Sequence, residues 1–102
     1  MYKMETALID NINAQRKEAE EFSKQPGCWM GMLPCPTEVQ YWSERVPSGT
    51  LREYIRQELV ESAYYLTADR TSKSYARSLD FQNWTDERIQ RHIDRMCEKE
   101  VA

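Results

Sequence analysis

The stretch Pro26-Gly27-Cys28-Trp29-Met30-Gly31-Met32-Leu33-Pro34-Cys35-Pro36 interrupts the chain and decides how the rest of it is read. It holds three of the four prolines, two of the three glycines and two of the three cysteines. Proline lacks a backbone donor and clashes with the preceding helical turn, so no helix runs through this segment. Yet it is also among the most apolar stretches of a polar chain. A non-helical segment carrying Trp29, Met30, Met32 and Leu33 is either tucked beneath the flanking helices or offered to a partner. Both placements of Trp29 stay open: the next helix brings Trp42 to the same neighbourhood, which favours its burial as a plug, while exposure makes it a contact residue. With Trp29 buried, Met30 and Met32 are the residues left facing outward.

Upstream, apolar residues recur at Met4, Leu8, Ile12, Ala19 and Phe22, the spacing of one helical face. The opposite face pairs Arg16 with Glu20 and Lys17 with Glu21 at i,i+4. This predicts a helix over Met1 to Lys24, ended by Pro26-Gly27. Downstream, Thr37-Glu38-Val39-Gln40 reads as a capping box opening a short helix with Val39, Trp42 and Val46 on one side. Pro47-Ser48-Gly49 breaks it. Thr50-Leu51-Arg52-Glu53 is a second capping box. It opens a longer helix whose inward stripe is Leu51, Ile55, Leu59, Ser62, Ala63 and Leu66, with Tyr54 beside it and Arg52, Arg56, Gln57 and Glu61 outward. Residues 67–78 are rich in hydroxyls that compete for backbone hydrogen bonds, which leaves helix and ordered loop both open. Thr85 then caps a last helix, with Asp86 and Glu87 favourable in its first turn. That helix presents Ile89, Ile93, Met96 and Cys97, and frays after Glu100. The expected fold is all-α: one domain over residues 1–102, a small bundle of four or five helices.

Composition narrows the function. The 102 residues carry a net charge of −3, which argues against binding nucleic acid through bulk charge. The mean hydropathy of −0.83 is low, and 11 aromatic residues must supply much of the core. No run reaches the roughly 18 apolar residues of a membrane span. No basic start leads into an apolar core of the signal-peptide kind, so the expected compartment is the cytoplasm, with reduced thiols.

Four constellations could carry chemistry. Cys28, Cys35, His92 and Cys97 are zinc-type ligands. However, the first two are separated by six residues, and His92 and Cys97 lie about 140° apart around a helix. His92, offset from the Ile89/Ile93 stripe, is expected at a helix edge or in water. A single histidine gives a cysteine nucleophile no oriented base pair, and three scattered glycines build no phosphate loop. Neither a catalytic residue, a metal nor a cofactor is therefore expected. Val46-Pro47-Ser48-Gly49-Thr50-Leu51 resembles the turn of helix-turn-helix proteins, which would direct Ser48, Gly49, Arg52 and Arg56 at DNA; Arg45, Pro47 and Tyr41 depart from that pattern. Arg70, Lys73 and Arg77, spaced by hydroxyls and Tyr75, could hold a phosphorylated ligand or an acidic partner.

Tyr64, Tyr65, Arg70, Arg77, Leu79-Asp80-Phe81, Trp84-Thr85-Asp86-Glu87 and Ile93-Asp94-Arg95-Met96 fall in an order that resembles a type of small protein encoded by tailed bacteriophages. The connector here lacks the glycine and proline that such proteins often carry. The resemblance implies a phage or prophage origin, and proteins of this kind commonly bind and inhibit host proteins. The resulting expectation is a non-catalytic interaction protein that contacts a host protein, or a second copy of itself. Its contact residues are expected to be Trp29, Met30, Met32, Leu33, Arg70, Lys73, Tyr75 and Arg77. A DNA-binding regulator using Ser48, Arg52 and Arg56 is the alternative, and a binder of a small phosphorylated ligand the second.

Overall fold

A computed structural model describes residues 1–98, which form five α-helices and one 3-10 turn, with no strand among the described residues. The helices are α1 (Thr6–Ser23), α2 (Val39–Arg45), α3 (Leu51–Arg70), α4 (Lys73–Ser78) and α5 (Asp86–Glu98), and the 3-10 turn is Phe81–Asn83. The fold class is all-α, as the helical spacings require. The expected fraying after Glu100 lies outside the described residues. Internal contacts group the chain into two units, Met1–Tyr54 and the residues from Ile55 onward.

The first unit is built around Trp42. Leu8 and Ile12 of α1, Trp42, Val46 and Tyr54 form its buried cluster, with Tyr2, Met4, Leu33 and Leu51 packed around them. Trp42 is fully buried, and its indole N–H donates to the carbonyls of Pro34 (3.2 Å) and Cys35 (3.1 Å). A buried indole needs such a partner, and the proline-rich loop supplies two. Helix α1 begins at Thr6 rather than Met1. Residues 1–5 stay non-helical because their hydrogen bonds go elsewhere: Glu5 N–H donates to the Gly49 carbonyl at 2.7 Å. The Tyr2 hydroxyl lies 3.1 Å from the Trp42 carbonyl and 2.8 Å from that of Val46, satisfying the end of α2. Thr37 does not cap α2: the helix starts after Glu38 without a side-chain cap, and the Thr37 hydroxyl turns to the Cys35 sulfur. Val39 is accordingly exposed, while Trp42 and Val46 are buried as expected.

Thr50 does cap α3, accepting the Glu53 N–H at 3.2 Å. The return half of the capping box is displaced by two residues, since the Glu53 carboxylate takes the N–H and hydroxyl of Ser48. Gly49 sits at φ +69°, a left-handed conformation that favours glycine.

In the second unit Ala63, Phe81 and Ile89 are the buried cluster, flanked by Leu59, Val60, Tyr64, Leu79, Trp84 and Ile93. The buried register of α3 runs through Ala63 and Thr67; Ile55 and Ser62 of the expected stripe are exposed. Thr67 can occupy the core because its hydroxyl donates to the Ala63 carbonyl at 2.7 Å. Arg56, expected to face outward, instead places Nη1 on Asp86 Oδ1 at 2.5 Å. Its Nη2 lies on the carbonyls of Phe81, Gln82 and Trp84, at 3.2, 3.2 and 2.7 Å. Residues 67–78 resolve as the end of α3, a break, and α4, whose N-cap Ser72 accepts the Tyr75 N–H at 3.1 Å. Thr85 caps α5 as expected, accepting the Arg88 N–H at 3.1 Å. No helix among the described residues is long and apolar enough to cross a membrane.

Candidate functional site

The proline-rich loop divides into a pinned half and a presented half. Leu33 packs against the first core, and its carbonyl accepts from Arg16 at 2.5 Å. Pro34 and Cys35 are held by the Trp42 indole. On the other side, the Met30 N–H donates to the Ser23 hydroxyl at 3.0 Å, tying the loop to the end of α1. Trp29, between the Met30 anchor and Cys28, whose N–H donates to the Gln25 carbonyl at 3.1 Å, is 81% exposed; Met30 itself is 41% exposed, and Met32, between the two halves, 47%. Of the two placements open to Trp29, the favoured burial is not the one found: Trp42 already fills the core, its ring meeting the Tyr54 ring edge-on at 6.0 Å. Trp29 lies beside Gly31 instead, where a Cβ would come within 3.5 Å of its ring. Exposed Met30 and Met32 agree with expectation.

A lowered thiol pKa adds to the chemistry of this loop. Thr37 holds Cys35 below the ordinary value of 9.0, first through its hydroxyl on the sulfur at 3.1 Å, then through its backbone N–H, with Arg16 contributing less. Cys28 is half-buried, and Cys97 is exposed rather than on the core face. His92 is buried, not at an edge: Phe81 and Trp84 flank it at 5.4 and 5.5 Å, and Nε2 lies 2.7 Å from the Thr67 hydroxyl. The same hydroxyl reaches the Ala63 carbonyl at 2.7 Å; with its single proton given to Ala63 it would accept from an Nε2–H imidazole. Among the described residues no three metal-ligating side chains gather.

The other expected site residues belong to the second unit. Arg70 is half-buried at the end of α3, whereas Lys73, Tyr75 and Arg77 are exposed on α4. Arg77 alone of the three cations lines a cleft of about 320 Å³ bordered by α3, α4 and the 3-10 turn. Tyr64, Leu79 and Phe81, which form its floor, lie up to 17 positions apart, on α3, at the C-cap of α4 and in the 3-10 turn, so no local sequence pattern marks the cleft.

The residues of the DNA-binding alternative are placed differently from what that reading needs. Gly49 is buried against the backbone of Lys3 and Met4, Ser48 is held by Glu53, and Arg56 is committed to Asp86 and three carbonyls. Arg52 remains exposed. Comparison of the chain with protein-family models, curated proteins and solved structures finds no match.

Proposed function

We propose that this is a non-catalytic protein–protein interaction module whose Trp29–Met32 loop anchors a partner protein. The observation that carries the reading is the exposure of Trp29 on a loop held at both ends. An indole 81% exposed is unfavourably hydrated surface that a partner's pocket would cover. Tying the loop through Ser23, Arg16 and Trp42 reduces the ordering that binding would otherwise require. Tryptophan is a large anchor, and methionine adapts to an irregular surface, so Met30 and Met32 suit the rim of such a contact. Burying this indole contributes a few kcal/mol, on the order of 25 cal/mol per Å² before ordering costs.

The resemblance of residues 64–96 to small phage proteins supplies the setting: a phage accessory protein that binds a host protein in the cytoplasm and inhibits or redirects it. Capture from bacterial lysate with tagged chain, followed by mass spectrometry, tests this. A specific protein retained by the wild type and lost with Trp29→Ala supports it. A catch unchanged by Trp29→Ala, or no catch beyond background, overturns it.

A further inference from the structure

The second unit offers a cleft that the interaction loop does not use. Its floor is apolar and partly aromatic, formed by Tyr64, Leu79 and Phe81. Its charged rim consists of Arg77, Glu61 and Asp80. The two acids are already engaged: Asp80 accepts the side-chain amide of Asn83, and Glu61 has a partner. Arg77 is different. Its guanidinium is exposed and makes no hydrogen bond or ion pair with the described residues. The Tyr64 hydroxyl likewise donates to none of them.

We infer that this cleft binds a small aromatic carboxylate, the ring against Tyr64 and Leu79 and the carboxylate on Arg77. Size comes first: about 320 Å³ is at the small end of ligand sites, which run from about 300 to 1,000 Å³, and suits a single ring with a short arm. Charge decides the polar group. A planar guanidinium binds a carboxylate through two parallel N–H donors, and Arg77 is the one cation among the residues that line the cleft. Glu61 and Asp80, on the same rim, oppose a second negative charge, so a carboxylate is favoured over a doubly charged phosphate. The aromatic floor selects a ring, through offset or edge-on contact.

Titration of the full chain with phenylacetate, phenyl phosphate and phenethylammonium, followed by NMR, tests this directly. Phenylacetate is expected to shift the resonances of Tyr64, Leu79 and Phe81, with phenyl phosphate weaker and phenethylammonium without effect. Arg77→Gln should weaken phenylacetate at least tenfold, the size expected for losing a charge-assisted pair. Arg77 has no partner to lose among the described residues, so its variant should keep the wild-type amide spectrum; Arg77→Lys, recovering only part of the affinity, gives a second reading should that spectrum change. No shift with phenylacetate, equal binding of phenethylammonium, or indifference to both Arg77 variants overturns the inference. Phenyl phosphate binding more tightly than phenylacetate overturns the choice of carboxylate.

Discussion

Arg56 and Asp86, thirty positions apart in sequence, meet at 2.5 Å and join the second turn of α3 to the first turn of α5. The ion pair is the smaller part of the contact, since Asp86 is 60% exposed and solvent screens it. The larger part is the second nitrogen, which satisfies the carbonyls of Phe81, Gln82 and Trp84 where the chain leaves the 3-10 turn. Arg56→Ala is therefore expected to destabilise the fold by about 1–3 kcal/mol, and Asp86→Asn by less than about 1. Urea unfolding of both variants checks the ranking; an equal effect would place the weight on the ion pair instead.

The Thr67–His92 pair makes a sharper claim about a buried proton. Thr67→Val keeps the shape but removes the hydroxyl that meets His92 Nε2, an expected loss of about 1–3 kcal/mol. Nitrogen-15 NMR of the wild type should report the Nε2–H tautomer. An Nδ1–H imidazole would show that the Thr67 hydroxyl donates to the ring rather than to Ala63.

Gly49 and Gly27 share a positive φ but differ in surroundings, which separates two causes of glycine preference. Gly27→Ala meets open space and should lose only the left-handed strain, about 1–2 kcal/mol. Gly49→Ala adds a clash with the backbone of Lys3, and should release residues 1–5 as well. Amide exchange at Glu5 is the readout, because that N–H is bonded to the Gly49 carbonyl. Glu5 protection surviving in Gly49→Ala would contradict the close approach.

Tyr2 gives this docking a pH dependence. Burial, and then the Glu53 carboxylate, raise its pKa above the ordinary 10.0. A raised folded pKa means the contribution is fully present below the unfolded value and is lost as pH rises through the folded one. Tyr2→Phe is expected to lose about 1 kcal/mol at neutral pH, and the gap should close well above pH 10. A gap that persists there would mean the hydroxyl's bonds to Trp42 and Val46 contribute nothing.

The helices were legible because their signals are local. Thr50 and Thr85 cap as their sequences suggest, and Leu8, Ile12 and Ala19 lie on the buried face that their spacing indicates. What was not legible depended on which polar group finds a distant partner. Thr67 and His92 lie at core spacings, four after Ala63 and three after Ile89, but read as polar until each satisfies the other. Arg56 looked like a solvent-facing cation because its carbonyl partners come from a turn 25 or more positions away. Trp29 and Trp42 are the same residue type, and the one in the core is the one that packs on Leu8 and Ile12 with its indole N–H on two loop carbonyls. Likewise, the cleft on Arg77 draws its walls from segments that individually read as helix packing.

The role of Trp29 is tested most directly by measuring, on one Trp29→Ala preparation, both its melting temperature and its affinity for the captured partner. The expected result is a melting temperature within about 4 °C of wild type, as for an exposed residue, with affinity lowered by tenfold or more. Unchanged affinity, or a loss of about 3–5 kcal/mol in stability as for a core aromatic, would contradict the assignment of Trp29 to a binding surface.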